Sequence, residues 1–417
     1  MRSHRHAACD WLSVHPLLCF RARKGWPLKR FMRSRMGRKF RIVSVTHFFP
    51  SRRGGIELVA AAINRRLAER GHEVAWFASA DAETPGPDGG LSYHPMQNCG
   101  LVERLTGLPL PIWIGRGIPA LWSAIRDCDA VHIHDFIYPG SLLALAFARV
   151  HGKTTVLTQH IGEIPYNSKV LSATLSAVNR TVGSLALRCA SRVVFISNVV
   201  QAYFCSKIAF PRAPLYLPNG VNTQLFHPVP ASERMLIRAR LGIPENAPVC
   251  LFVGRMVEKK GLHLLLPLVS RLPAIHWIFV GQGPLRSELA PSSNVRIFDG
   301  LAHADLADLY RAADLLVLPS RGEGFPLVVQ EAFACGLPAL VSDETAAGCE
   351  AGRPLLFELS VTAPDTVEQW QRRLADLTAD RAVLEARRGA VAEFAGQAWS
   401  WDHAVDVYTE LYQGCVE

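Results

Sequence analysis

Two acidic residues that stand eight positions apart, Glu323 and Glu331, are the strongest chemical signal in this 417-residue sequence. Each carboxylate is a hydrogen-bond acceptor suited to sugar hydroxyl groups. If a helix joined them, they would lie about 12 Å apart along its axis, more than the roughly 5 to 9.5 Å between the two acids that flank a glycosidic bond in hydrolases. The spacing therefore favours two separate hydrogen-bonding roles, with a charged loop and a solvated helix face as the alternative.

The residues between the two acids predict a site for an anion. Gly322 and Gly324 flank Glu323 and allow the backbone to approach a ligand closely. Pro326 predicts the start of a helix, so the amide of Leu327 lacks a carbonyl partner within that helix. Amides at a helix start bind phosphate groups. A phosphate-binding helix that follows a ligand-binding loop is therefore expected.

A pair of cations precedes this segment. Arg255 follows the apolar run Cys250 to Gly254, and Lys260 stands where the next helix is expected to begin. Because the carboxyl ends of parallel strands meet at one edge of a sheet, both cations are expected near Glu323. Together they could neutralise a diphosphate leaving group without a metal ion. Ordinary charges flanking a helix are the alternative. Gly281 ends another strand and is expected in the same cleft.

Three histidines follow or lie on predicted strands in the first half of the chain. His160 comes after one strand, and His132 and His134 share one face of another. Two histidines on one face could bind zinc, but no third ligand stands at a recognisable spacing, so no metal site is expected. His134 is expected to line the cleft. A purely structural histidine at a strand end is the alternative for His160.

From Arg41 onward, short β-branched runs alternate with glycine-containing loops and amphipathic stretches, which is typical of parallel α/β sheets. We therefore expect an α/β protein with two Rossmann-like, doubly wound domains. The first series of strands is predicted at Ile42 to Thr46, Val74 to Ala78, Val131 to His134, Thr155 to Thr158 and Val193 to Ser197. The second series is predicted at Cys250 to Gly254, Trp277 to Gly281, Val295 to Phe298, Leu315 to Pro319 and Ala339 to Ser342.

Prolines and charge set the expected domain boundaries. Pro211, Pro214 and Pro218 place the end of the first domain near residue 215. Residues 1–35 carry nine of the Lys and Arg residues against Asp10 alone, so the net charge of +9 belongs mostly to this end. The predicted parts are a basic extension at 1–40, domains at 41–215 and 216–395, and a C-terminal helix at 396–417 that packs back toward the first domain.

The basic extension has two explanations, a start site assigned upstream of Met36 or an arm that binds anionic lipid. The nearly neutral remainder predicts no nucleic-acid binding. Ten cysteines without a C-x-x-C pair favour reduced thiols, and no apolar run is long enough to cross a bilayer. A cytoplasmic protein is expected, with peripheral membrane association as the alternative. The apolar segment Asn98 to Trp122, broken by Gly and Pro, is interpreted as an irregular packed connection.

Motifs in the second half of the chain resemble family 4 of the retaining glycosyltransferases, which have the GT-B fold. Gly254 to Gly261 reads G-R-x-x-x-x-K-G, and Glu323 to Ala332 reads E-G-F-x-L-x-x-x-E-A. The resemblance runs from about Arg41 to Tyr412 and is looser in the first domain. It implies two domains that face a central cleft, with the acceptor on the side of 41–215 and a nucleotide sugar bound by 216–395. It implies no cofactor and no metal.

The resemblance also implies a role for each residue. Glu323 would bind the transferred sugar together with the backbone after it, and His160 would face the reacting sugar, so these two are the expected catalytic residues. Arg255 and Lys260 would bind the diphosphate, and Glu331 the ribose. The expected donor-binding residues are Gly54, Gly55, Arg255, Lys260, Gly324, Phe325, Pro326, Leu327 and Glu331. Gly54 and Gly55 would approach the diphosphate from the opposite domain.

The implied reaction moves a sugar from a UDP- or GDP-sugar to an acceptor hydroxyl with retention of configuration. A saccharide or lipid-linked acceptor in cell-surface polysaccharide or glycolipid synthesis is expected. A nucleotide-sugar epimerase or hydrolase of the same architecture and a non-catalytic nucleotide-sugar-binding protein are the alternatives. The donor stays open, because the stretch from Asp343 to Glu350 replaces the family's glycine pair followed by Pro-Glu.

Overall fold

The computed structural model describes residues 38–52, 54–80, 86–100, 110–162, 176–289, 292–322 and 325–414. All helices and strands given below belong to one compact unit, Phe40–Glu417. Two of the predicted site residues, Glu323 and Gly324, lie outside the described residues, as does the basic extension up to residue 37.

Nine strands belong to the described part of the first domain, and seven of them form one parallel sheet. They are β1 (Arg41–Phe48), β2 (Glu73–Ser79), β3 (Leu91–Met96), β4 (Asn98–Cys99), β5 (Ile112–Trp113), β6 (Ala130–His134), β7 (Thr154–Gln159), β8 (Arg192–Phe195) and β9 (Leu215–Tyr216). The sheet order is β3-β2-β1-β6-β7-β8-β9, while β4 and β5 pair with each other antiparallel. The chain changes direction across the sheet between β1 and β6, and ligands bind at the carboxyl ends of strands at such a switch point.

Helices cover both faces of this sheet. They are α1 (Gly55–Glu69), α2 (Gly117–Asp127), α3 (Pro139–Val150), α4 (Ser184–Cys189) and α5 (Asn198–Cys205). One apolar cluster places Ile63 and Leu67 of α1 against the sheet. The other places Leu121 of α2, Ala144 of α3 and Phe204 of α5 on the opposite face. Strands buried on both faces explain the continuous apolar runs of the sequence.

The second domain repeats this plan. Its strands are β10 (Val249–Val253), β11 (His276–Val280), β12 (Val295–Phe298), β13 (Leu315–Leu318), β14 (Ala339–Ser342) and β15 (Phe357–Leu359). The sheet is parallel in the order β12-β11-β10-β13-β14-β15, which puts its switch point between β10 and β13. Its helices are α6 (Ala231–Arg240), α7 (Leu262–Arg271), α8 (His303–Ala312), α9 (Leu327–Ala334), α10 (Asp343–Ala347), α11 (Thr366–Ala379) and α12 (Arg381–Ala398).

The chain crosses between the domains twice, and the two crossings run side by side. The amide of Val221 donates to the carbonyl of Trp399 at 2.9 Å. Trp399 packs in the second domain, whereas Trp401 begins the last helix, α13 (Trp401–Tyr412), and packs in the first. Ser400 caps α13 by accepting from the amide of His403. The last helix therefore lies against the first domain although it follows the second in sequence.

The ten strands predicted from β-branched runs are confirmed to within two residues at each end. Five strands were not predicted, namely the edge strands β3, β9 and β15 and the two-residue pair β4 and β5, since they are short or mixed in polarity. The interpretation of 98–122 as irregular was wrong in part, because α2 begins at Gly117. Pro119 fits there since the first turn of a helix needs no amide donor.

Candidate active site

The loops that follow β10 and β11 contact each other closely at the carboxyl edge of the second sheet. The amide of Gly254 after β10 donates to the carbonyl of Val280 at 3.0 Å, and the amide of Met256 donates to that of Gln282 at 2.7 Å. Gly281 has a φ of 140°, and a Cβ there would lie 2.0 Å from the carbonyl oxygen of Gly254. The tight contact fixes the backbone that carries the Arg255 side chain.

Replacing Gly281 by alanine should destabilise the protein, because the added Cβ meets backbone and the φ is unfavourable for a residue with a side chain. We expect a loss of about 3 kcal/mol in the free energy of unfolding, measured by urea denaturation. Gly389→Ala is the matched control, since an added Cβ meets nothing within 4 Å there. Equal stability of the two variants would contradict the close approach of the two loops.

The two predicted cations lie at this edge. Arg255 is exposed, and Lys260 is partly buried in the 3-10 turn Glu258–Lys260. The aliphatic part of Lys260 folds back over Gly254, 3.6 Å from the position of a Cβ on that glycine. Residues 319–326 are called the donor loop, and its described part 319–322 reaches the same edge, because the amide of Arg321 donates to the carbonyl of Lys259 at 2.9 Å. The structure therefore brings Arg255, Lys260 and the donor loop to one side of the β10–β13 switch point.

The helix α9 begins at the end of the donor loop. Pro326 is its N-cap residue and supplies no side-chain acceptor, so the amides of Leu327 and Val328 remain for a ligand. The ring of Phe325 is buried against Trp399, with ring centroids 5.4 Å apart. Only the backbone of Phe325 is thus available to the cleft.

Glu331 lies in the second turn of α9 and points at Tyr310 of α8. The Tyr310 hydroxyl donates to Oε2 of Glu331 at 2.8 Å. Burial raises the pKa of Glu331 to about 7, and the hydrogen bond from Tyr310 partly opposes that rise. Glu331 is therefore a partly buried acceptor with one oxygen held and the other left for a ligand. This corrects the alternative that it belongs to a solvated helix face.

At the carboxyl edge of the first sheet, His160 and His134 form a hydrogen-bonded pair. His160 Nε2 and His134 Nδ1 are 3.1 Å apart, and both side chains are buried. The expectation that His134 lines the cleft is wrong, because it is fully buried behind His160. Asp135 fixes the backbone of this pair by accepting from the amide of His160 at 2.9 Å, while holding a left-handed conformation with φ 61°.

The tyrosines of α13 form hydrogen bonds that lead to the same histidines. The Tyr412 hydroxyl lies 2.7 Å from His132 Nδ1, and His132 stacks on His134 with ring centroids 4.3 Å apart. His132 Nε2 also meets Thr158 Oγ1 at 2.8 Å, which in turn contacts the Tyr408 hydroxyl. Burial lowers the pKa of both His132 and His160 to about 3. The histidines are therefore neutral at physiological pH and act as hydrogen-bonding groups.

Gly54, at the start of α1, lies close to Glu57, which the sequence analysis did not single out. Glu57 Oε1 pairs with His47 Nε2 at 3.0 Å, and both side chains are buried. His47 stacks flat on Tyr138 with ring centroids 3.8 Å apart. A Cβ on Gly54 would lie 2.1 Å from the other oxygen of Glu57, whereas Gly55 has open space around it. The Glu57 carboxylate, held by His47, therefore lies directly beside Gly54.

Helix α9 of the second domain contacts the first domain. Leu327 packs against the apolar cluster of the first domain. The Gln330 side chain donates to the carbonyl of Asn219 in the interdomain crossing at 2.6 Å. Helix α9 of the second domain therefore lies directly beside the first domain.

The sequence analysis missed several residues that surround the predicted site residues. They are His47, Glu57, Asp135, Tyr310, Tyr408 and Tyr412. Asp135 could have been found, because it directly follows β6 at the switch point, whereas His47 lies within β1. The two tyrosines of α13 carried no such signal, since only the fold brings them to β6 and β7.

Comparison with known proteins gives the class of this chain. Residues 53–225 match the model of "Glycosyltransferase Family 4", and residues 233–392 match that of "Glycosyl transferases group 1". The D-inositol 3-phosphate glycosyltransferase 1 of Catenulispora acidiphila is 30% identical over 398 residues, covering 87% of this chain and 91% of that protein. The D-inositol 3-phosphate glycosyltransferase of Thermobispora bispora is 29% identical, with 86% and 90% covered. The chain belongs to glycosyltransferase family 4 and is a glycosyltransferase.

Solved structures agree on the fold. Sucrose-phosphate synthase of Thermosynechococcus elongatus superposes with a TM-score of 0.71 at 20% identity, covering 89% of this chain and 98% of that one. HepE of Anabaena, solved in complex with UDP-glucose, superposes with a TM-score of 0.69 at 18% identity, covering 90% and 99%. The predicted GT-B architecture of two Rossmann-like domains is confirmed.

None of the helices in the described ranges combines the length and the apolar character that a membrane span requires. No cluster of three or more His, Cys, Asp or Glu side chains in those ranges could hold a metal ion.

Proposed function

We propose that this glycosyltransferase transfers a sugar from a nucleoside diphosphate sugar to an acceptor hydroxyl with retention of the anomeric configuration. The observation that carries the proposal is the meeting of Arg255, Lys260 and the first amides of α9 at one switch point. Arg255 and Lys260 carry positive charge, and the first amides of α9 carry partial positive charge. That is the arrangement a leaving diphosphate requires.

The remaining contacts to the nucleotide sugar come from both domains. Glu331 accepts hydrogen bonds from the ribose through the oxygen that Tyr310 leaves open. Glu323 and the amide of Gly324, which lie outside the described residues, bind the transferred sugar. From the first domain, Gly54 and Gly55 approach the diphosphate and the uncharged His160 donates to a sugar hydroxyl. Retention and these roles rest on family membership together with the placement of the described residues.

The reaction follows from these contacts. The bond between the anomeric carbon and the diphosphate oxygen breaks, and a bond from the acceptor oxygen forms on the same face of the sugar. The acceptor proton passes to the departing phosphate oxygen. Arg255, Lys260 and the α9 amides stabilise the negative charge that develops there, so the protein supplies no nucleophile of its own.

The acceptor side carries an apolar rim. Ile112 and Ile114 near β5 and Leu185 of α4 are exposed, and α3 contacts both of these elements. We include a saccharide acceptor carried by a lipid, with peripheral membrane contact, in the proposal on this ground. The cysteines of the described ranges are free thiols, which favours a reducing, cytoplasmic location.

The test is a donor panel. The protein is incubated with UDP-glucose, UDP-galactose, UDP-N-acetylglucosamine and GDP-mannose, with lipid-linked and soluble saccharide acceptors and with D-inositol 3-phosphate. Release of UDP or GDP is followed by chromatography, and the anomeric configuration of the product by NMR. Acceptor-dependent nucleotide release with a retained anomer supports the proposal. An epimerised sugar from donor alone, or an inverted product, would overturn it.

Donor affinity should depend on pH through Glu331. Its pKa of about 7 means that it is ionised above neutrality and protonated below, so it loses acceptor capacity as pH falls. We expect the donor dissociation constant to be flat above pH 7 and to rise by up to about tenfold per pH unit below it. Calorimetry with an intact nucleotide sugar measures this, because its diphosphate does not titrate in that range.

Two variants test whether Glu331 causes this pH dependence of donor binding. Glu331→Gln should bind the donor more weakly at pH 8 and lose the pH dependence. Tyr310→Phe removes a hydrogen bond that lowers the pKa of Glu331, so the rise in the dissociation constant should begin at a higher pH. An unchanged profile in both variants would remove Glu331 from the donor site.

A further inference from the structure

Residues 342–350, called the clasp below, follow β14 and contain Ser342, the short helix α10 and the stretch from Gly348 to Glu350. This is the same stretch in which the sequence departs from the family pattern. Ser342 caps α10 by accepting from the amide of Thr345 at 3.1 Å. The clasp therefore has a defined structure of its own, with a short helix between two irregular ends.

The first end of the clasp holds the donor loop. The Ser342 hydroxyl donates to the carbonyl of Ser320 at 2.6 Å. The amide of Gly322 donates to Oε1 of Glu344 at 2.8 Å. Gly322 directly precedes Glu323 in the sequence, so the Glu344 carboxylate holds the described residue next to the expected sugar ligand.

The second end of the clasp holds the first domain. The amide of Asn198, the first residue of α5, donates to the carbonyl of Gly348 at 3.2 Å. The amide of Glu350 donates to Oδ1 of the same asparagine at 3.2 Å. The Tyr216 hydroxyl of β9 also hydrogen-bonds to the Cys349 thiol. Three contacts thus join this end to the carboxyl edge of the first sheet.

We propose that the clasp couples the position of the first domain to the geometry of the donor loop, with Glu344 as the positioning residue for the sugar-binding backbone. This inference rests on the proposed function. Helix α10 is about 8 Å long, and its hydrogen bonds make it a rigid connection between Asn198 and Gly322. A shift of the first domain at Asn198 therefore moves the donor loop.

The test compares Glu344→Ala, Glu344→Gln, Asn198→Ala and the double variant Asn198→Ala/Glu344→Ala, with the nucleotide sugar that the wild type uses. Glu344→Ala should raise the donor KM about tenfold, the size of one charge-assisted hydrogen bond. Glu344→Gln keeps an acceptor oxygen and should recover most of that loss. The dissociation constant of the free nucleotide should stay within twofold, because Arg255 and Lys260 bind it elsewhere.

Asn198→Ala should raise the donor KM by a similar factor although it lies in the other domain. The double variant should show less than the product of the two single effects, since both break one mechanical connection. Glu350→Ala is the matched control, because that side chain is exposed and only its backbone amide belongs to the clasp. It should leave the donor KM unchanged.

Hydrogen exchange of the donor-loop peptide gives a readout that needs no turnover. Its amides should exchange faster in Glu344→Ala and in Asn198→Ala than in the wild type and in Glu350→Ala. Unchanged exchange in Asn198→Ala, or fully multiplicative KM effects, would overturn the coupling. If the wild type transfers no sugar while exchange changes as expected, the proposed function fails and the coupling stands.

Discussion

Replacing Arg255 or Lys260 by alanine should lower kcat/KM for the nucleotide sugar by about 100-fold or more. In the proposed reaction each side chain stabilises charge that develops on the diphosphate as the glycosidic bond breaks, so kcat should fall as well as affinity. Arg255→Lys should recover little, because an ammonium cannot reproduce the two parallel hydrogen bonds of a guanidinium. Steady-state kinetics with the preferred donor measures both variants.

The neighbouring Lys259 provides the matched control for this prediction. It lies in the same 3-10 turn as Lys260, and its carbonyl accepts a hydrogen bond from the amide of Arg321. Lys259→Ala removes the same charge without removing a side chain of the proposed diphosphate site, so its kcat/KM should stay within about threefold. Similar losses in Lys259→Ala and Lys260→Ala would mean that only the general charge of this surface matters.

His160→Ala should lower kcat by about 100-fold, with a smaller effect on the donor KM. Nε2 of His160 is already hydrogen-bonded to His134, so Nδ1 is the ring nitrogen that remains for the sugar. Because burial and the nearby His47 lower the pKa of His160 to about 3, it stays neutral between pH 5 and 8. The pH profile of kcat over that range should therefore have the same shape in His160→Ala and in the wild type.

His151→Ala is the control for this second prediction. His151 is the C-cap of α3, at the opposite end of that helix from β6, and its ring meets Trp122 edge to face. A kcat within about threefold of the wild type is expected. If His160→Ala kept full kcat, or removed a pH-dependent step between pH 5 and 8, the assignment of His160 as a neutral hydrogen-bond donor to the reacting sugar would be wrong.

The buried histidines also predict how acid affects the fold. A neutral buried histidine stabilises the folded state above the unfolded pKa of about 6.5, and that stability is lost as pH falls below it. Asp135 and Glu331 oppose this trend, because burial raises the pKa of each carboxyl to about 7 and the folded state keeps the proton longer. The two carboxyls therefore offset part of the destabilisation by acid that the histidines cause.

The second domain could be predicted closely from the sequence because its site residues follow strands. Arg255 comes directly after β10, and the donor loop comes directly after β13, so strand prediction alone placed both at one edge. The alternation of β-branched runs and helices is a local signal, and parallel pairing then brings the carboxyl ends together. A ribose-binding role for Glu331 stays a prediction, and its surroundings could not be predicted, since burial raises its pKa and the hydrogen bond that partly opposes the rise comes from Tyr310, 21 residues away.

The first domain was harder to predict because its cleft depends on contacts between distant segments. Tyr412 reaches His132 across 280 positions, and Asn198 reaches residues 348–350 across the domain boundary. No periodicity in the sequence marks such contacts. His134 was misplaced for the same reason, since the ring of His160 covers it only after β6 and β7 pair.

The central claim is that the β10–β13 edge binds a nucleoside diphosphate through Arg255 and Lys260. Calorimetric titration of UDP and of GDP in the presence of EDTA tests it most directly. We predict that one nucleotide binds with a stoichiometry of one, that Arg255→Ala/Lys260→Ala abolishes this binding, and that Lys259→Ala retains it. Binding of neither nucleotide, or equal binding by the double variant and the wild type, would contradict the claim.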